Sequence, residues 1–317
     1  MSEDETMPVA GRYSSVLRYV RETPWAILPE TLAVITDLLR YRAGGDRLSR
    51  AEIAERIGPH AATKGIGAAR AGSVAVIPLQ GVIVHRADMF SDVSGAASLD
   101  KFQARFREAM ADPGVGSIII NIDSPGGTVA GVMEMAAEVL AARDTKRIIA
   151  VADTLAASAA YWIASAAGEI VVAPSGEVGS IGVIAAHEDL SAALEQQGIK
   201  VTLVSAGKYK AEASPLAALG EEARAAIQAR VDEFYGAFIA AVAKGRGATP
   251  AAVRGGFGEG RVVGAAEAIK TGMADRIGTL DETLARLLGR KPAGASAQGL
   301  VPSLEVRRRR LQLASCA

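Results

Sequence analysis

Three short motifs in this 317-residue chain carry groups that could together hydrolyse an amide or ester bond. Ser158 lies in a run of small and apolar residues, 155–165 (LAASAAYWIAS). A glycine turn precedes it at 124–127 (SPGG), and a lysine-containing segment follows it at 207–215 (GKYKAEASP). In that order, the motifs offer backbone N–H groups for an oxyanion, a nucleophile and a base, which are the parts of a serine–lysine hydrolase.

The surroundings of Ser158 suit a nucleophile. The alanines on both sides allow the backbone of a substrate to approach the hydroxyl closely, and a serine at the first turn of a helix has free N–H groups beside it. We expect the N–H of Ala159 and that of Gly126 or Gly127 to form an oxyanion hole, since glycine lets the chain expose its N–H. Taken alone, each motif also fits a structural serine or an ordinary strand-to-helix turn.

The base is less certain from the residues alone. A lysine can accept a proton only when it is neutral, and burial in an apolar pocket favours that form. Lys208 and Lys210 flank Tyr209 in a lightly charged segment, and either could serve. Ser180, in the segment 179–182 (GSIG), lies at a strand edge and could hydrogen-bond the lysine amine.

A histidine is the rival base, because Ser–His–Asp is the commoner hydrolase design. His187 follows an apolar strand-like segment, whereas His60 and His85 are expected in a linker and a loop. The carboxylates that could orient His187 are Asp123, Asp153 and Asp189. A surface loop explains the His-Glu-Asp sequence equally well.

Composition narrows the function classes. The chain has 35 basic and 35 acidic residues and no net charge, which argues against a protein that binds nucleic acid over its whole surface. Its single cysteine, Cys316, indicates a reducing compartment. No secretory signal is visible, and the apolar stretch 155–167 is shorter than the roughly 20 residues that span a bilayer. We interpret that stretch as a buried helix in a soluble, cytoplasmic protein without metal or cofactor.

The pattern divides the chain into three parts. Residues 1–70 predict a helical N-terminal extension and linker, with one helix beginning at Pro29 and a capping box at 49–52 opening another. Residues 72–290 form the main domain. Residues 291–317 are a low-complexity linker followed by a basic tail, whose four arginines are expected to be solvated.

Within the main domain, continuous apolar strands alternate with helices. Such strands indicate a parallel sheet covered on both faces, and therefore an α/β fold. The predicted strands are 74–78, 81–84, 117–122, 148–152, 169–173 and 181–185, with a further apolar run at 201–204. The predicted helices cover 99–111, 129–143, the Ser158 region, a segment from about Leu190, 221–243 and a stretch after Gly264.

Taken together and in order, the motifs 124–127, 155–165, 179–184 and 207–215 resemble the protease IV / signal peptide peptidase A family. The resemblance covers about residues 72–290. It implies a ClpP/crotonase-like ββα superhelix that assembles into homo-oligomeric rings. It also implies that Ser158 is the nucleophile and that Lys210, four residues before the serine of the Ser-Pro pair, is the base rather than Lys208. Ser180 would then orient the lysine, and Gly127 would join the oxyanion hole.

One departure points to a branch of that family. Cellular members often carry Gly-Gly after the nucleophile, whereas this chain has Ala159 and Ala160. This form resembles the head-maturation, or capsid assembly, proteases of tailed phages and prophages. The expected function is a serine endopeptidase that cleaves scaffold or portal-type proteins in an assembling prohead in the host cytoplasm. The expected partners are capsid, scaffold or portal proteins, without membrane or specific nucleic acid.

Three alternatives stay open from the sequence. The chain could be a cellular signal-peptide-peptidase-like protease that degrades peptides. It could be a crotonase-like acyl-CoA enzyme, in which the same glycine turns hold a thioester oxyanion. It could also be a catalytically inactive assembly protein.

Overall fold

The computed structural model describes residue 20 and residues 23–43, 69–86 and 97–290. Its strands are β1 (Trp25–Ile27), β2 (Ala69–Ala71), β3 (Val74–Gln80), β4 (Ile83–Val84), β5 (Ala97–Ser98), β6 (Ser117–Ser124), β7 (Gly126–Thr128), β8 (Arg147–Ala157), β9 (Glu169–Val172), β10 (Glu177–Gly179), β11 (Val262–Gly264) and β12 (Arg276–Ile277). Its helices are α1 (Pro29–Ala43), α2 (Leu99–Ala111), α3 (Val132–Ala142), α4 (Ala159–Ser165), α5 (Ser191–Gln196), α6 (Glu221–Arg246), α7 (Pro250–Gly256), α8 (Ala265–Thr271) and α9 (Leu280–Leu287). No helix in these ranges is long and apolar enough to cross a membrane.

The main sheet is largely parallel, as predicted. Its strands follow the order β11-β10-β8-β6-β3-β2, with β9 also beside β8 and β12 beside β9. Strands β3, β6, β8, β9 and β12 pair in parallel, and β10 also runs parallel to β8. Only β2 and β11 pair antiparallel with their neighbours among the described strands of this sheet.

Both faces of this sheet are covered, which explains why its strands are continuous apolar runs. Along β6, Ile118, Ile120 and Ile122 enter the larger core with α2, α3, α4 and α6. Ile119, between them, faces the other way into a smaller core closed by leucines of α9. Successive side chains of a strand point to opposite faces, so one strand contributes to both cores.

A second sheet holds β1, β7, β4 and β5 in that order. Strands β3 and β4 precede α2, and β6 and β7 precede α3, so two strand–strand–helix units repeat along the chain. In each unit the long strand joins the main sheet and the short one joins the second sheet. This arrangement is the ββα pattern expected from the sequence, and the α/β fold class is confirmed.

Some boundaries differ from the predictions. The stretch 155–167 is not one helix, because β8 continues to Ala157 before α4 begins at Ala159. The last three residues of β8 pair with β10, which ends at Gly179. The strand predicted at 181–185 is absent, and this segment forms only an isolated bridge, between Ile184 and Trp25. The run 201–204 forms no strand and is exposed. Periodicity could not separate these cases, since short apolar runs suit a strand, a helix or an interface equally well.

The N-terminal residues add a strand that the sequence did not predict. The helix predicted from Pro29 is present as α1, and β1 precedes it directly. Trp25, Ile27 and the apolar face of α1 pack with Val82 and Val84 to form a third core. The capping box at 49–52 and the tail at 291–317 lie outside the described residues.

Glu169 ties together the edge of the main sheet. Its carboxylate accepts hydrogen bonds from Arg147 of β8, Arg276 of β12 and Arg286 of α9, at 3.0, 3.2 and 2.6 Å. Burial alone raises the pKa of Glu169, but the hydrogen bonds from these arginines outweigh it and hold the pKa below its usual range. The carboxylate therefore stabilises the fold in its charged form.

We predict that Glu169→Gln lowers the free energy of unfolding at pH 7 by about 1–2 kcal/mol, because three guanidinium groups lose their shared charge. A carboxyl group with a lowered folded pKa contributes fully above its unfolded value, about 4.3, and loses its contribution as the pH falls through the folded value. Urea denaturation should therefore show the wild-type advantage at pH 7 and little of it at pH 3. Glu267→Gln, in an exposed pair with Lys270, is the control and should change stability by less than about 0.5 kcal/mol. An advantage that is the same at both pH values would contradict this role.

Candidate active site

Ser158 occupies a strained turn between β8 and α4. Its φ and ψ angles are 55° and −117°, in a region that residues other than glycine rarely adopt. Its N–H donates to the Gly179 carbonyl at 2.7 Å, and its own carbonyl accepts from Trp162 at 2.9 Å. The residue is fully buried, and its hydroxyl donates a long hydrogen bond of 3.4 Å to the carbonyl of Gly182. Backbone strain held in place from both sides is typical of functional residues.

Ser180 is the neighbour of Ser158 across the sheet. The register pairs Ala157 with Gly179, so both serines directly follow the last pair of β8 and β10. Ser180 is also buried, has a φ of 53° and donates its N–H to Arg261 at 2.8 Å. The fold thus brings together two buried serines, both in the left-handed region, at the ends of adjacent parallel strands.

The glycine turn lies against the same serine. A Cβ atom on Gly126 would approach Ser158 Cβ to 2.9 Å, so only glycine fits there, and its φ of 99° agrees. The Gly126 N–H already donates to Ser124 Oγ at 3.2 Å, and that hydroxyl donates to Gly81. Gly126 therefore uses its N–H for a hydrogen bond within the turn, whereas the N–H of Gly127 makes no such bond to a residue of the turn.

Helix α4 is packed tightly behind Ser158. Trp162 stacks on Phe238 of α6 with ring centroids 4.4 Å apart, and Tyr161 donates its hydroxyl hydrogen to the Met273 carbonyl at 2.9 Å. A Cβ on Gly245 would overlap the Ser165 carbonyl, so α4 and α6 touch through their backbones. The N–H groups of the first turn, including that of Ala159, have no acceptor within the helix and point towards the serine end.

The two candidate lysines are exposed, whereas both serines are buried. Lys208 forms an ion pair with Glu222 at 2.8 Å and hydrogen-bonds Tyr209 at 2.7 Å. Lys210 lies in the same turn with its side chain exposed, and no hydrogen bond joins it to Ser158 or Ser180 in the described part of the chain. Lys208 is therefore engaged in a surface ion pair, and Lys210 is the candidate that could act as the base.

The hydrogen bond described for the His187 ring is to the backbone rather than to one of the carboxylates proposed to orient it. Its Nε2 is 3.3 Å from the Ser214 carbonyl, and its ring lines a cavity of about 390 Å³ with Ile184 and Ile227. Asp189 instead accepts hydrogen bonds from Ser191, which hold the pKa of that carboxyl below its usual range. Asp123 accepts a short hydrogen bond from Thr154. The described contacts therefore place His187 on a backbone carbonyl and Asp189 on Ser191, although the charge of His187 also lowers the pKa of Asp189.

One element of the site was not found from the sequence. Strand β1 pairs antiparallel with β7, the strand of the glycine turn, and its Trp25 bridges to Ile184 on its other edge. It therefore lies between the two segments that border Ser158. The available signal was a run of four apolar residues between Pro24 and Pro29, too short to be assigned by periodicity.

Comparison with known proteins adds to this geometry. A model of peptidase family S49 matches residues 141–292, a span that includes Ser158, Ser180 and Lys210. Capsid assembly protease C of Escherichia phage lambda is 34% identical over 204 residues, covering 64% of this chain and 46% of that protein. Protease 4 of Salmonella typhi is 31% identical over 216 residues, covering 68% and 34%. The chain thus spans less than half the length of these two relatives.

Among solved structures, a membrane protease of Pyrococcus horikoshii specific for a stomatin homolog matches with a TM-score of 0.41. It is 16% identical and covers 69% of this chain and 79% of its own.

We predict that Gly127→Ala destabilises the site, because the added Cβ would overlap the Ile83 carbonyl in the neighbouring strand β4. The Ile83 carbonyl cannot move aside without breaking the pairing of β4 with β7. The free energy of unfolding, measured by urea denaturation, should therefore fall by about 2–3 kcal/mol. Gly236→Ala in α6 is the matched control. Its Cβ meets no atom within 4 Å, and alanine should stabilise the helix by up to about 1 kcal/mol. If Gly127→Ala were as stable as the wild type, the glycine turn would not be constrained as described.

Proposed function

We propose that this protein is a serine endopeptidase with a Ser158–Lys210 dyad, and the match of residues 141–292 to the model of peptidase family S49 supports this proposal. The observation that carries the proposal is the buried, strained Ser158, with a glycine turn on one side and a helix N-terminus on the other. A structural serine at a strand-to-helix turn needs neither the positive φ nor two sets of N–H donors. The ion pair of Lys208 supports Lys210 as the base. Glu222 stabilises Lys208 in its charged form, which cannot accept a proton.

The proposed catalytic cycle requires Lys210 to reach Ser158 and Ser180 in the assembled enzyme. Neutral Lys210 accepts the hydroxyl proton while Ser158 Oγ attacks the peptide carbonyl, and the oxyanion that forms is stabilised by the N–H groups of Gly127 and Ala159. Lys210 then protonates the leaving amine as the C–N bond breaks. Water, deprotonated by the lysine, hydrolyses the acyl-enzyme and releases the serine. Ser180, adjacent to Ser158 at the sheet edge, orients the lysine amine by a hydrogen bond.

We further propose that assembly into a ring completes the site. Lys210 is exposed in the single chain, and the segment 199–209 before it exposes several large apolar side chains: Ile199, Val201, Leu203, Val204 and Tyr209. Val204 alone is 94% exposed. A contiguous exposed apolar segment is characteristic of an interface, and a second copy packed there would remove Lys210 from water.

The substrate class follows the relatives. The similarity to capsid assembly protease C supports a role in phage head maturation, with scaffold or portal-type proteins as substrates in an assembling prohead in the host cytoplasm. The similarity to Protease 4 supports, as a second candidate, a cellular peptidase that degrades peptides. Coexpression with capsid, portal and scaffold proteins separates the two. Ser158-dependent fragments of those proteins support the phage role, and intact proteins beside an active peptidase support the cellular one.

We predict that Ser158→Ala and Lys210→Ala each reduce the kcat for a fluorogenic peptide by at least about a thousandfold, since each removes one member of the dyad. Lys208→Ala, two residues from Lys210 and of the same type, should retain kcat within about threefold because it lies in a surface ion pair. His187→Ala should also retain most of the activity. If His187→Ala were inactive while Lys210→Ala stayed active, the Ser–His design would replace the dyad.

We predict that Val204→Asp prevents assembly and lowers activity together, because a carboxylate cannot be buried in an apolar interface without a partner. Sedimentation analysis should show a mixture shifted to monomer, with kcat reduced in proportion. Ile269→Asp, at an exposed apolar position of α8, is the control and should leave both unchanged. A fully active monomer of Val204→Asp would contradict the proposal that a second copy completes the site.

A further inference from the structure

Strand β1 lies across the active site as an extended peptide would. The N–H of Trp25 donates to Ile184 and the N–H of Ile184 donates to Trp25, both at 2.8 Å. On its other edge, Leu28 donates to Pro125 at 3.0 Å, and Val129 donates to Pro24 at 3.4 Å. The segment 24–28 is thus hydrogen-bonded both to the strand of the glycine turn and to the residues after Ser180.

The direction of the backbone groups of Ala26 follows from that of its neighbour Trp25, because successive residues of a strand direct their N–H and carbonyl groups to opposite edges. Since the N–H and carbonyl of Trp25 both face Ile184, those of the next residue face the opposite edge. The register places Gly127 directly opposite Ala26 on that edge. The Ala26 carbonyl is therefore directed at the Gly127 N–H, the group that we assign to the oxyanion hole.

Ala26 also lies close to the nucleophile. The site that a Cβ of Gly126 would occupy is 2.9 Å from Ser158 Cβ and overlaps the carbonyl oxygen of Ala26. Both atoms thus lie against the same glycine. Ala26 and Ser158 are also both fully buried.

The strand is anchored by contacts outside the site. Trp25 donates its indole N–H to the Val20 carbonyl at 2.8 Å, and Trp25 and Ile27 are buried in the third core with α1. Arg40 of α1 pairs with Glu188, beyond Ile184, at 2.7 Å. Strand β1 itself is only three residues long, so the bonds that a substrate must replace are few.

We propose that residues 24–28 are an internal occupant of the substrate site and keep the enzyme latent. The inference rests on the proposed function for the identity of the site. A substrate of the matching chemistry is an extended peptide with a small residue opposite Gly127, which pairs antiparallel with β7 by main-chain hydrogen bonds. Such a peptide binds only when β1 leaves, so β1 and substrate compete for the same backbone groups.

The test measures peptide binding in a Ser158→Ala background, where no hydrolysis can occur. The probe is a fluorescently labelled heptapeptide with the sequence of residues 23–29 (TPWAILP). Ala26→Pro removes the N–H that faces Gly127, while the preceding Trp25 can keep its extended conformation. We expect this variant to bind the probe about tenfold more tightly or better, as expected for the loss of competing backbone hydrogen bonds.

Two variants control for folding. Ala33→Gly weakens the exposed face of α1 without touching β1, and its affinity for the probe should equal that of the parent. Trp25→Ala removes the side-chain anchor and leaves the backbone bonds possible, so it should also bind more tightly even if Ala26→Pro does not fold. Hydrogen exchange of the Ile184 amide reports whether β1 has left, because that amide donates to Trp25.

The outcomes separate the two proposals. Tighter binding together with faster exchange at Ile184 supports the latent strand, whatever the activity of the enzyme. Faster exchange without tighter binding in both variants would overturn it. Separately, restored Ser158 with Ala26→Pro should hydrolyse peptides faster than wild type. No Ser158-dependent hydrolysis, despite tighter binding, would refute the peptidase and leave the strand site intact.

Discussion

The parallel pairing of β8 with β10 is the interaction on which the site depends. It ends at Ala157 and Gly179, and the Gly179 carbonyl then accepts the Ser158 N–H, which holds the serine at a positive φ. The turn directs β8 into α4 within a single residue, so the helix N-terminus and the hydroxyl lie together. Core packing of α4 against α6 stabilises the strain, since α4 is completely buried.

The cleft that we propose as the substrate site also contributes to folding. Strand β7 and the residues around Ile184 present backbone groups that can pair with an extended chain, and β1 pairs with both. Trp25 and Ile27 also complete the third core. Displacing β1 would thus expose apolar surface as well as open the site, which links substrate binding to the stability of the N-terminal residues.

The sequence predicted the parts of this molecule that depend on local pattern. The strands β3, β6, β8 and β9 were recognisable because burial on both faces makes them continuous apolar runs, and the glycine turn was recognisable from its composition. The strand–helix boundary at Ser158 was not, since alanine suits both sides of it. Nor could the sequence predict the exposure of Lys210 or the position of β1, because both depend on contacts between distant segments or copies.

The most direct test of the account is the covalent adduct of a fluorophosphonate, located by intact mass and peptide mapping on the Ala26→Pro variant, in which β1 is displaced. Because a neutral serine hydroxyl reacts only when a base and an oxyanion hole assist it, the account predicts one adduct per chain, on Ser158. It also predicts no adduct when Ser158 is replaced by alanine. An adduct on another serine, or none on Ser158 after β1 has been displaced, would contradict the assignment of the nucleophile.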